Sequence, residues 1–296
     1  MVAPDRDKLR RAFRVDRQAP PVVAPNPRGD GMRAFLQRRR EQFAAPPRAV
    51  VELPSGTEEQ TAHGALWRRE LRYPLRHVHG TAPLAAVGRL DGARLAALAK
   101  EPGFAALDAR RCLFLDTETT GLAGGAGTVV FAYGLAFLCG DELVLEQLFL
   151  RDFGEEPAML RHVAARLRTY PVPVTFVGKS YDRHRIAARM AVHKIRSSVL
   201  TAPHLDLYHL VRRTHGKQLP DTRLKTVEAH LLGLHRNDDL PGSEAPAAFL
   251  DWIRDRTGPV DRVLEHNRLD VLSLVALLGL LGGGAQAAGP GPAAAP

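Results

Sequence analysis

The sequence predicts an α/β fold, a mixed sheet with three initial antiparallel strands flanked by helices. Three observations predict it. "RCLFLDTE", "TVVFAYGLAFL" and "ELVLEQLFL" are rich in β-branched, aromatic and leucine residues and follow one another across short Gly-containing turns. They are too close together for helical crossovers and so pair antiparallel. Helical and strand-like segments then alternate, which adds further strands and covering helices. The chain of 296 residues is 45% hydrophobic and 25% charged, an ordinary globular composition with room for one large domain plus extensions.

The elements follow in order. Residues 1–48 are Pro-rich and carry twelve Lys or Arg against five Asp or Glu, most of the net charge of +9; they read as a disordered basic arm. Residues 49–105 form an accessory segment of strand-like and turn-like pieces, among them "HGALWRRELRYPLRHVHG", in which polar and apolar residues mix without a period that assigns a role. The main domain spans 106–281. After its three strands, "EEPAMLRHVAARL" has helical spacing with acids at its start, "VPVTFVG" is a fourth strand, and "YDRHRIAARMAV" is a second helix. "HLDLYHLVRR", "RLKTVEAHLLGL" and "PAAFLDWIRDR" continue as mostly helical pieces. The last helix runs from about Pro259 to Leu281, with proline near its first turn and glycines past its end. Residues 282–296 are a Gly/Ala/Pro tail that reads as disordered.

Several classes are excluded. Cys112 and Cys139 lie in apolar surroundings without pairing or ligand spacing, which argues against a disulfide framework or a zinc site. The N-terminus lacks an apolar h-region, and the run Val271 to Leu281 is interrupted by Ser273 and is far shorter than the roughly 20 residues of a membrane span. The expected location is cytoplasmic, without membrane association. "VGKS" at 177–180 imitates the end of a phosphate-binding loop, but Pro173 stands where that motif needs glycine. "GLAGGAG" leads into a strand, where a dinucleotide fingerprint needs a helix, and reads as a tight hairpin turn.

The chemistry lies in the acids. Asp116 and Glu118 end the first strand one residue apart, so both point to one face. Two like charges on one face repel unless something positive sits between them. Asp182 follows the fourth strand in the first turn of a helix, and Asp270 lies one helical turn after His266. Each stands where a strand end or an adjoining helix faces one sheet edge, the usual place for sites in open α/β sheets. Four such carboxylates can hold two hard divalent cations, which together activate water and stabilise the leaving oxygen of a phosphodiester. His266 could orient or deprotonate that water. Asp206 reads as a helix cap, and Asp238 and Asp239 read as a turn. Lys179, Arg183, Lys225 and Arg268 are candidate phosphate contacts, and Phe176 or Tyr181 could stack one terminal base.

The ordered series "FLDTETTG", "TFVGKSYD" and "HNRLD" resembles the three motifs of the DEDD superfamily of 3′–5′ exonucleases, within the ribonuclease H-like fold. With "RLKTVEAHLLGL" and "DDLPGSEAP" added, residues 106–281 are similar to the YprB-type ribonuclease H-like proteins. The resemblance implies that Asp116, Glu118, Asp182 and Asp270 bind two Mg²⁺ or Mn²⁺ ions, that His266 orients the water, and that Lys179, Tyr181, Arg183, Lys225 and Arg268 lie near the nucleic acid. His266 precedes Asp270 by four positions, the spacing of the tyrosine-type branch, whereas the histidine-type branch usually has one more residue between them. Val177 stands where the YprB-type pattern often has Asn.

The function so implied is 3′–5′ exonucleolytic hydrolysis of DNA or RNA at a single-stranded 3′ end, by two metal ions. The alternatives are a non-catalytic nucleic-acid-binding protein on the same fold, or a structure-specific endonuclease. A decayed site usually loses an acid, and this chain retains all four. Protein partners are not legible. A basic arm binds polyanions by counterion release without reading sequence, so deleting residues 1–48 should weaken nucleic-acid binding and flatten its salt dependence. The check is the slope of log K against log salt; an equal slope for the full and the shortened chain would remove the arm from binding.

Overall fold

The computed structural model describes residues 49–121 and 127–283. The basic arm, the centre of the glycine-rich turn at 122–126 and the tail past 283 lie outside the described residues. Seven strands form one sheet: β1 (Thr57–Thr61), β2 (Gly64–Pro74), β5 (Cys112–Thr119), β6 (Val130–Cys139), β7 (Glu142–Phe149), β8 (Val172–Thr175) and β9 (Leu205–Asp206). Their order is β1-β2-β7-β6-β5-β8-β9. Pairing is antiparallel from β1 through to β5, then parallel from β5 to β8 and from β8 to β9. A separate two-residue ladder pairs β3 (Val78–His79) with β4 (Ala82–Pro83).

Two features depart from the expected strand set. The segment 49–105 supplies β1 and β2 to the same sheet, on the side of β7. Its period is obscured because β2 carries charge on a face that pairs across strands: Arg68 bonds both Glu70 and the buried Glu146, and Arg72 bonds Glu70 and Glu142. Leu205 and Asp206, expected at the start of a helical piece, instead form the edge strand β9; its two residues are too few to show alternation.

Seven α-helical segments are described: α1 (Gly92–Ala99), α2 (Glu156–Thr169), α3 (Asp182–Val192), α4 (Leu207–Thr214), α5 (Leu224–Val227), α6 (Ala245–Asp255) and α7 (Val260–Gly282). The sheet divides them by side-chain alternation. Leu113 and Leu115 of β5 face a core made with Leu160 and Val163 of α2, Ile186 and Met190 of α3, and Phe249 of α6. Cys112 and Phe114 face the opposite core, made with Leu95 of α1, Leu210 of α4 and Val271 to Leu281 of α7. Asp116 and Glu118 continue that second register, so they emerge under α7. Each fully buried Leu or Phe in these layers contributes about 1.5–3 kcal/mol relative to exposure.

The apolar run at the end of α7 is explained by what covers it. From Val271 to Leu278 every residue is buried, between the sheet and the 84–99 region. That region also closes the helix end: Arg94 Nε donates to Leu281 O at 2.8 Å and the Asp91 amide to Gly282 O at 2.6 Å. Orphan carbonyls at the C-terminus are thereby satisfied. Among the described residues no helix is long and apolar enough to cross a membrane.

Near its start α7 lies almost in contact with the sheet backbone. Gly134 of β6, paired with Asp116, has no room for a Cβ, which would stand 2.5 Å from Asn267 Oδ1 and 2.6 Å from Val271 Cγ2. Gln147 of β7 donates from Nε2 to Leu264 O at 2.6 Å and to Asn267 Oδ1 at 3.1 Å. These bonds fix the helix in register over β5.

On the other face, the fully buried Glu146 accepts from Arg166 at 2.6 and 2.7 Å, from His162 at 2.9 Å and from Arg68 at 2.9 Å. Burial pushes its carboxyl up, but the bonds from His162 and Arg166 outweigh it and hold the pKa at about 2 against an ordinary 4.5. A carboxyl depressed on folding stabilises the protein above its unfolded pKa, and that contribution is lost as pH falls from 4.5 toward 2. Glu146→Gln should cost about 2 kcal/mol at neutral pH, the scale of a hydrogen bond to a charged group, and should flatten the loss of stability below pH 4.5. Urea unfolding at neutral and acid pH checks both, and an equal acid slope in the two proteins would refute the assignment.

Candidate active site

The carboxylates meet at the C-terminal end of β5. The register between β5 and β6 shifts between Glu118 and Thr119, a bulge of the kind that re-aims side chains beside functional sites. Asp116 Oδ2 accepts from Asn267 Nδ2 of α7 at 2.8 Å. Thr117, which points to the opposite face, donates to Asp182 Oδ1 at 2.6 Å. Asp182 begins α3, directly after the turn 176–181. Gly178 in that turn has no room for a Cβ, which would stand 2.6 Å from Asp182 Oδ2.

That turn is held by an acid from the next strand. Asp206 caps α4 through the Tyr208 amide at 3.1 Å, and also accepts from the amides of Val177 at 2.9 Å and Lys179 at 3.0 Å. Val177 is exposed with φ of 66°, the left-handed region where a β-branched residue is strained and Asn is better tolerated. The structure thus supplies a conformational reason for Asn at this position of the family pattern.

Four acids feel one another. Burial is the largest influence raising the carboxyls of Asp116 and Glu118 well above the usual range. Among neighbouring charges Asp270 weighs most on both; Glu118 and then Asp182 follow for Asp116, and Asp182 and then Asp239 for Glu118. Asp182 is pushed to about 6, by burial first, against the Thr117 hydrogen bond. Uncompensated like charges produce this pattern.

Asp270 differs, because it has a cation. Arg236 Nη1 lies 2.5 Å from Asp270 Oδ1 and 3.4 Å from Asp239 Oδ2, and the same guanidinium pairs with Glu228. His266 donates from Nδ1 to Asp239 at 2.9 Å, and its Nε2 lies 3.7 Å from Asp270 Oδ2. Asp239, read from sequence as part of a turn, is therefore the partner of His266. Asp238 beside it does make the turn, with φ of 61°.

Among the described residues, no three His, Cys, Asp or Glu side chains stand close enough to enclose a metal ion. Asp116, Asp182 and Asp270 each direct an oxygen at Asn267, Thr117 or Arg236. The donor set still fits a hard divalent cation: its donors are carboxylate oxygens, and Asp116, Glu118 and Asp182 are buried together with too little positive charge.

The expected nucleic-acid contacts divide. Lys179, Tyr181 and Arg183 lie on the turn and helix start that carry Asp182. The Tyr181 hydroxyl donates to Gly121 O at 3.1 Å and lies 3.2 Å from Thr119 Oγ1, and its ring lies under the Arg185 guanidinium. Arg268 is engaged by Glu265 at 2.5 Å and by the Tyr73 hydroxyl at 2.9 Å, and Lys225 is exposed on α5. Neither bonds to the carboxylates. Phe176 packs edge-on against Tyr208 rather than standing open.

Asn267, Thr117, Asp239 and Arg236 were not legible as site residues. Asn267 had a signal, as a polar residue at a helix position flanked by the inward-facing Val263, Leu264 and Val271. Arg236 and Asp239 had none, because they sit in an aperiodic loop 27 to 34 residues from the helix they reach.

The RNase_H superfamily model matches residues 113–281. The uncharacterized protein YprB of Bacillus subtilis (strain 168) is 32% identical over 217 residues, covering 71% of this chain and 51% of that protein, so the chain spans about half the length of this curated relative. A family B DNA polymerase from the hyperthermophilic archaeon Pyrobaculum calidifontis aligns over 57% of this chain and 24% of its own, at 16% identity and a TM-score of 0.44. With the mixed sheet and the motif series in place, the chain belongs to the RNase_H superfamily, as a YprB-type ribonuclease H-like protein.

Proposed function

We propose that this protein is a divalent-metal-dependent 3′–5′ exonuclease that hydrolyses phosphodiester bonds at single-stranded ends of DNA or RNA. The observation that carries the reading is the convergence of Asp116, Glu118, Asp182 and Asp270 beside a histidine held by its own carboxylate. These acids would hold Mg²⁺ or Mn²⁺, and such ions, when bound, acidify a water and stabilise the leaving oxygen.

The chain's own groups prepare that chemistry. Asn267 ties one oxygen of Asp116 and Thr117 ties one oxygen of Asp182, so each carboxylate keeps a defined orientation and a second oxygen for a ligand. Asp239 accepts from His266 Nδ1, which leaves Nε2 as an acceptor. Nε2 takes the proton from the attacking water. Lys179, Tyr181 and Arg183 contact substrate phosphates and position the strand without reading its sequence. Nucleoside monophosphates are the product.

One observation favours the competing reading of a non-catalytic nucleic-acid-binding protein: Asp270, expected to bind metal, is paired with Arg236. Digestion of 5′-labelled single-stranded DNA and RNA with Mn²⁺, Mg²⁺ or chelator separates the two. The exonuclease produces a metal-dependent ladder that shortens from the 3′ end and is lost in Asp116→Asn; binding without cleavage under every metal favours the competitor, and cutting of a circular strand indicates an endonuclease. Asp239→Asn, which can no longer select the His266 tautomer, should lower kcat about 100-fold, within the range of general-base contributions, with KM little changed. Equal kcat in steady-state assays of the two proteins would remove His266 from proton transfer.

A further inference from the structure

Arg236 is built into the site more firmly than a surface side chain could be. Its side chain is 3% exposed and contacts carboxylates from three places in the chain: Glu228, Asp239 and Asp270. Glu228 is fully buried in a π-helical turn (Glu228–Leu232) that continues α5. Such turns are rare and often mark functional sites.

The turn is itself braced. The Thr81 amide donates to Leu232 O at 2.8 Å, and Gly80, with φ of 63°, has no room for a Cβ against that same carbonyl. His79 of the same small hairpin is hydrogen-bonded through Nε2 to Ser273 Oγ of α7 at 2.8 Å, and Ser273 lies beside Glu228. A guanidinium enclosed in this way is a fixed charge, not a swinging arm. It occupies Asp270 Oδ1, and Oδ2 faces His266.

A divalent ion bound at Asp270 would therefore share its carboxylate with a permanent positive charge, and the two cations would repel. Asp116, Glu118 and Asp182 have no such partner. We propose that Arg236 is the resident cation on the Asp270 side of the site, so that the protein holds one divalent ion tightly, on Asp116, Glu118 and Asp182, and holds a second only weakly. The inference rests on the divalent-metal reading above, and it departs from the expectation of two equivalent ions.

The test is the number of Mn²⁺ ions bound by the full chain, measured by equilibrium dialysis with electron paramagnetic resonance of the free ion, in the wild type, Arg236→Gln, Arg236→Lys and Arg236→Gln/Glu228→Gln. The double variant removes both members of the buried pair and leaves no unpaired carboxylate at 228 if the single variant fails to fold. One tight ion is expected in the wild type and in Arg236→Lys, and two in the neutral variants, with second-ion affinity at least tenfold higher. Two ions of similar affinity in the wild type would overturn the inference while leaving the metal reading intact, and so would an unchanged second-ion affinity in a folded neutral variant. No Mn²⁺ bound by the wild type would overturn both. If neither neutral variant folds, the wild-type count alone decides.

Discussion

The approach of α7 to the sheet at Gly134 governs both the core and the site. Without a side chain at that position the helix settles onto β6 closely enough for Asn267 to reach Asp116 on the adjacent strand and to be held in turn by Gln147. Register along a helix is rigid at 1.5 Å per residue. Once Asn267 is placed, the positions of His266 and Asp270 follow. Thus the packing contact that buries Val271 and its successors also aims the residues that carry the chemistry.

Two buried acidic environments on the same sheet show what the site lacks. Glu146 is fully buried, and two arginines and a histidine hold its carboxyl far below the ordinary range. Asp116, Glu118 and Asp182 are buried with hydrogen-bond donors but little positive charge, and their carboxyls rise. The difference is one of counter-charge, since burial alone raises both sets. Stored repulsion of this kind costs stability in the empty protein and is relieved by a bound cation. Only Asp270 is compensated by a side chain, which makes the cluster electrostatically lopsided.

The segment ahead of the first conserved-type motif takes part in this arrangement. Its hairpin widens the sheet beyond β7, residues 84–99 cover the second half of α7, and the short β3–β4 ladder braces the turn that holds Glu228 against Arg236. The chain therefore folds its N-terminal described residues around the superfamily core, and a line of contacts runs from His79 through Ser273 and Glu228 to the Arg236 pair.

By itself the sequence determined the local periods and the chemistry. The runs that became β5, β6 and β7 were legible from their apolar, β-branched content, α7 from its length and terminal signals, and the shared face of Asp116 and Glu118 from strand alternation. These depend on neighbours within a few residues, which is why they could be read. Only the tertiary structure decided that Asp239 serves His266, that Arg236 sits on Asp270, that Asn267 orders Asp116, and that 57–74 joins the sheet. The first two arise in a loop without a period. The strand β2 hides its alternation under cross-strand ion pairs. Asn267 takes its meaning from a glycine 133 positions earlier in the chain. Long-range pairings such as these are set by which surfaces close on one another when the core is buried, and no local pattern encodes that choice.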